Sequence, residues 1–130
     1  MKNAALIFVL ASIFSTFNVA QAEDVDPAVL KNVYDSTRNI SGLITYCVDK
    51  GFLKSDSTVN AKKMVAYAAG MPGGLDTRDG DKNEAYGREG KGKGPDGKYE
   101  SVESAAPQGV AAWCKGADEG VREGLKSVGL

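Results

Sequence analysis

Two cysteines, Cys47 and Cys114, stand 67 positions apart in a chain of 130 residues. Joined, they would tie the middle of the chain to its end and force everything between them into one closed loop. Whether they join depends on the compartment. Met1, Lys2 and Asn3 make a short positive start, Ala4 to Phe14 is almost uninterruptedly apolar, and Ala20-Gln21-Ala22 puts small residues where a signal peptidase reads. That layout predicts a secretory signal over residues 1–22, cleaved after Ala22. The apolar run is short for a membrane anchor, which needs ~20 such residues. No cysteine stands at the cleavage site to carry a lipid, and no later segment reads as a span. Residues 23–130 are then expected to form a single helical domain, periplasmic or secreted.

An even cysteine count in an oxidising compartment favours a bridge. Closing so long a loop would stabilise the fold by roughly 4 kcal/mol through chain entropy. That is a large share of the ~5–15 kcal/mol of a typical domain. The competing readings are two separate buried thiols and a redox-active pair, although no Cys-X-X-Cys is present to favour the latter.

Composition narrows the chemistry further. The chain has no histidine, which removes a Ser-His-Asp triad, a Cys-His pair and any histidine-ligated metal. Two thiols cannot build an all-cysteine zinc site. Sixteen Lys plus Arg against seventeen Asp plus Glu leave a net charge of −1, without the basic face that nucleic acid requires. The expectation is a non-enzyme with no cofactor and no nucleic-acid partner.

Three helical patterns emerge. Asp26-Pro27 makes a helix start, with Asp as N-cap and Pro at the first helical position. Val29, Leu30, Val33, Tyr34, Thr37, Ile40, Ile44, Cys47 and Val48 follow at helical spacing, with Lys31, Asp35, Arg38, Asn39, Asp49 and Lys50 on the other side. Gly51 reads as the glycine that ends this helix, and Phe52 and Leu53 as residues folding back onto the core. A second helix fits 58–69, capped by Ser57 and stopped by Gly70 and Pro72. Val59, Met64, Val65 and Tyr67 carry its apolar surface, and Lys62 and Lys63 are solvated. A third fits 107–128, with Val110, Trp113, Cys114, Ala117, Val121, Leu125 and Val128 as its stripe. Gly109, Gly116, Gly120 and Gly124 interrupt it, each costing up to ~1 kcal/mol against alanine. The last three, spaced by four, allow two readings: close approach of another backbone, or a weak helix held by its packing.

Between Gly70 and Gly97 stand nine glycines, and only Met71, Leu75, Ala85 and Tyr86 offer anything apolar to bury. Such a segment cannot repay its ordering entropy by apolar burial. Residues 70–100 therefore read as a long, mobile, Gly-rich charged loop with a turn at Pro95-Asp96-Gly97. The expected fold is all-α: a small three-helix domain with one disulfide and this loop.

Motifs in the loop are incomplete. Residues 92–97 satisfy G-x-G-x-x-G but lack the flanking strand and helix, and Gly87 to Lys93 resembles a phosphate-binding loop with Gly94 where Ser or Thr is needed. Asp79, Asp81 and Asn83 have the spacing of a calcium loop, but Glu84 and Gly90 stand at positions that should be Gly and Glu. Asp76, Asp79, Asp81 and Glu84 are the weak candidates for a calcium site or for carboxylate chemistry. Arg88, Lys91, Lys93 and Lys98 are the candidate binding residues of the loop, nearly cancelled by Glu89, Asp96 and Glu100.

The run Asn39-Ile40-Ser41-Gly42-Leu43-Ile44-Thr45-Tyr46-Cys47-Val48-Asp49-Lys50-Gly51-Phe52-Leu53 resembles the first cysteine segment of the small exported YjjA-like proteins, a family of unknown function. There a helix ends in Tyr-Cys with an aromatic-leucine pair shortly after. Lys62-Lys63, Asp96-Gly97 and Cys114 are similar in order to later features of that family, over about half of the exported part. The charged loop and the glycine-studded last helix depart from it. The resemblance implies export and a paired-cysteine helical fold, without an activity.

Two classes of function are expected from the residues. One is a binding or protective protein whose loop meets another envelope protein, an architecture shared with toxin-immunity proteins and acid-stress chaperones. The other is a weak calcium-binding protein or an enzyme using loop carboxylates.

Overall fold

The computed structural model describes residues 25–130. The signal over residues 1–22 and its cleavage point lie outside the described residues. Five helices and one two-stranded hairpin follow one another: α1 Pro27–Asp49, α2 Asp56–Ala69, α3 Gly80–Arg88, β1 Lys91–Lys93, β2 Tyr99–Ser101, α4 Val102–Ala105 and α5 Val110–Ser127.

Helix α1 is the axis of the molecule. Asp26 Oδ1 accepts from the Ala28 N–H at 2.8 Å, with Pro27 opening the first turn. The far end closes in a Schellman pattern. Phe52 N donates to Cys47 O and Gly51 N to Val48 O, both at 2.9 Å, with Gly51 at φ 81°. Leu53 packs on the core as expected, whereas Phe52 is exposed.

Helix α2 folds back along α1, as the backbone of Gly73 beyond its end lies against Leu30 near the start of α1. Its buried face is made by Ala61, Met64 and Ala68; Val59 is exposed and Val65 and Tyr67 are half-buried. Met64, Ala61 and Ala68 are inside, whereas Val59, Val65 and Tyr67, expected on the apolar surface, lie outside it or at its margin. Helix α5 starts at Val110, because Gly109 at φ 92° is its cap rather than an interior position.

Cys47 and Cys114 form a disulfide with Cα atoms 5.8 Å apart, and both are fully buried. Ile40, Leu43, Ile44, Met64, Val102, Trp113, Ala117, Val121 and Leu125 share one apolar cluster with the bridge. The staple thus lies inside the core formed by α1, α2, α4 and α5.

Two expectations are corrected. Among the described residues there are five helices rather than three, and 70–100 is not one long loop. Gly80–Arg88 is helical, and β1 pairs antiparallel with β2 in the register Lys91↔Ser101, Gly92↔Glu100, Lys93↔Tyr99. The Pro95-Asp96-Gly97 turn is the hairpin's tip, closed by Gly97 N donating to Gly94 O at 3.0 Å. The segment is ordered although none of its side chains joins the apolar cluster, because glycine backbone and polar contacts seat it. Its buried residues include Gly80, Asn83, Gly87, Gly90 and Gly92.

Candidate functional site

Much of the polar side of α1 is covered by α3 and the hairpin, although Asp49 and Lys50 at its end are exposed. Asp35 and Asn39 are each only 3% exposed. Contacts along the two helices ascend together: Lys31 with Asp79, Arg38 with Asp81 and Glu84, Asn39 with Asn83. Helix α3 therefore runs parallel to α1 and beside it.

Glycine sets the spacing. A Cβ on Gly87 would lie 2.7 Å from the backbone nitrogen of Leu43 and nearer still to the carbonyl oxygen of Asn39; one on Gly42 would lie 2.9 Å from Arg88 N. Backbone meets backbone here, so neither helix can accept a side chain without moving apart. At Gly116 and Gly120 of α5 an added Cβ would meet nothing within 4 Å. At those two positions the weak-helix reading holds, while Gly124 is buried, and a close approach of backbones lies between α1 and α3.

Asn39 binds the segment from below. Its Nδ2 donates to Asn83 O at 3.1 Å and to Lys91 O at 3.0 Å, while its Oδ1 accepts from Lys93 N at 3.0 Å. Lys91 O and Lys93 N lie on the edge of β1 that turns away from β2, so one carboxamide pairs that edge as a neighbouring strand would. Asn83 Nδ2 donates to Asp79 O at 2.8 Å, and the Tyr99 hydroxyl donates to Asn83 Oδ1. The Tyr99 ring stacks on Tyr86 with centroids 4.3 Å apart.

Ion pairs surround this neutral centre. Lys31 Nζ is 2.7 Å from both Asp35 Oδ2 and Asp79 Oδ2. Arg38 reaches Glu84 at 2.7 Å, Asp81 at 2.6 Å and the Tyr34 hydroxyl at 2.9 Å. Hydrogen bonds donated to Asp35 and then to Asp79 hold the Lys31 ammonium well above its usual range. Burial works against the charged form of Arg38, but the bonds to Tyr34 and Asp81 and the charge of Glu84 outweigh it and raise its pKa. The hydrogen bond from Lys31 lowers Asp79 below the ordinary carboxylate value. Burial, followed by the Asp35 charge, raises Tyr99. Asp35 Oδ1 is buried without a hydrogen-bond partner among the described residues.

The four acids considered for calcium are each turned to a cation of the chain itself. Asp76 pairs with Arg78 at 2.8 Å, Asp79 with Lys31, Asp81 with Arg38, and Glu84 with Arg38 and, at 2.9 Å, Arg88. Among the described residues no group of three or more His, Cys, Asp or Glu is arranged to hold a metal. The candidate basic residues spread along the end of α3 and the hairpin. Arg88 and Lys91 are exposed but paired, Lys91 with Glu89 at 3.0 Å, while Lys98 is exposed and Lys93 half-buried. Lys91 and Lys93 share one face of the hairpin, as successive side chains alternate and both sit at odd positions of β1. Lys98 falls on the alternate set, so the register does not gather the three on one face.

Sequence reading missed Asn39, Asn83, Tyr99 and Gly42, the residues that build this interface. Their signal was faint: a buried amide and an isolated glycine leave no periodic trace. Among the described residues no helix is long and apolar enough to cross a membrane. No known protein family, curated protein or solved structure matches the chain.

Proposed function

We propose that this chain is a small exported non-enzymatic protein that acts by binding, with the hairpin and the end of α3 as its contact region. The observation that carries the reading is how the polar side chains are used. Lys31, Arg38, Asn39, Asp79, Glu84 and Asn83 are spent on internal bonds between α1 and α3. At the end of α3 and the hairpin, Arg88, Lys91 and Lys98 are exposed, the first two paired with acids of the same region, and Lys93 is half-buried. A buried disulfide and a mostly helical fold are compatible with export, and the resemblance to YjjA-like proteins leads to the same expectation. An envelope protein with an acidic face is the partner that this chemistry suits.

A photo-crosslinker placed at Lys98 in the oxidised protein should trap that partner in the envelope. The purified pair should then bind, and Lys91→Glu with Lys93→Glu should weaken it about tenfold through lost charge complementarity. Unchanged affinity of the variant sinks the assignment of the hairpin, and a crosslinker that traps no protein sinks the binding reading.

A further inference from the structure

The disulfide joins the chain on both sides of 70–101, so that segment can leave α1 while the bridged helices stay together. Among the described residues it contributes nothing to the apolar cluster. What seats it is the glycine contact, the Asn39 bonds and three ion pairs, Lys31–Asp79, Arg38–Asp81 and Arg38–Glu84. Each pair has its cation on α1 and its acid at the start of α3 or within it. We propose that α3 and the hairpin form an acid-released flap on a disulfide-locked core: protonating Asp79, Asp81 and Glu84 frees the segment from α1 before the bridged core unfolds.

The groups facing those three acids are few. From α1 come Lys31, Asp35 and Arg38, and from the chain before α3 come Asp76 and Arg78. Helix α3 itself adds Lys82 and Arg88, and the hairpin adds Tyr99 near Asp35 and Asp79, with Lys91 turned to Glu89. Acid leaves Lys31, Arg38, Lys82, Arg78 and Arg88 charged and removes their counterions, so like charges then face one another across the interface. The buried Asp35 remains beside Lys31 and is exposed only when the flap lifts. Asp79 titrates lower folded than unfolded because of Lys31. Its contribution is therefore complete above the ordinary carboxylate value and is lost as pH falls through the lower, folded one. Release belongs below about pH 4. Local opening of this kind draws on units with little buried apolar surface. The flap is independent of the binding reading above, since its readout needs no partner.

Pepsin at about pH 2, below the ordinary carboxylate range, reads the flap directly. Early cleavage should fall between Leu75 and Tyr99. The nicked protein should stay whole without reductant and separate into two pieces once Cys47–Cys114 is reduced. Hydrogen exchange on the uncleaved protein should show protection of 80–93 falling about tenfold more than that of 113–121 between neutral and acid pH. Equal losses in the two segments, no loss in 80–93, or first cuts in α1, α2 or α5 would each overturn the proposal. Arg38→Gln should bring the selective loss to neutral pH; protection of 80–93 equal to wild type in that variant would overturn the role of the ion pairs.

Discussion

On one side of α1, Ile40, Ile44 and Cys47 share an apolar cluster with Met64, Trp113 and Val121, and a covalent bridge runs through it. On the other side, Arg38, Asn39 and Gly42 meet Glu84, Asn83 and Gly87. Both sides exclude water from the same helix. The first does so with large side chains whose transfer from water drives the packing. The second does so by removing side chains until two backbones touch, and by pairing most of its buried polar groups, with Asp35 Oδ1 left as an exception. Burial on the second side therefore depends on glycine spacing and hydrogen-bond geometry, whereas the first rests on apolar area. Glycine itself means opposite things in the two places. At Gly42 and Gly87 it admits a neighbouring helix; at Gly116 and Gly120 it only loosens an exposed surface.

Removing the staple tests the first side and should have the largest effect. Replacing Cys47 and Cys114 together by alanine should cost about 4 kcal/mol of stability in urea unfolding, from the length of the loop released. A cost near zero would show that the apolar cluster holds without the bridge. Gly87→Ala tests the second side. The new methyl would press on backbone atoms of α1, and overpacking of this kind costs about 1–3 kcal/mol. Hydrogen exchange should place that loss in α3 and the hairpin; an unchanged α3 would mean that the helices can part freely and that glycine is not what seats them. Gly120→Ala should give the smallest change and the opposite sign, a gain of up to about 1 kcal/mol from helix propensity alone. A loss in thermal unfolding would mean that this surface is covered after all.

The disulfide-bridged half was legible because it obeys a period. Apolar residues at helical spacing marked α1 and α5, Asp26-Pro27 and Gly51 marked the ends of α1, and both cysteines fell on the stripes. The α3 and hairpin half left almost no such trace. Helix α3 is nine residues long and contains two glycines, and none of its side chains joins the apolar cluster. A reading that asks what a segment can bury counts side chains, and here the buried surface is backbone. For the same reason Asp35, Arg38 and Asn39 stood only as the side opposite the apolar stripe, with no partner assigned. The acids that looked like an imperfect calcium loop were legible as a cluster, but not as the partners of Lys31 and Arg38, which stand more than forty residues earlier.

By itself the sequence determined the apolar stripes of α1 and α5, the caps of α1 and the place of both cysteines within those stripes. Each of these follows from local spacing, which a helix converts directly into geometry. Only the tertiary structure decided that α3 lies parallel to α1, that Asn39 pairs the edge of β1, and that Gly42 and Gly87 meet. Those contacts join residues distant along the chain, and a glycine or an amide gains its meaning only from the atoms brought against it.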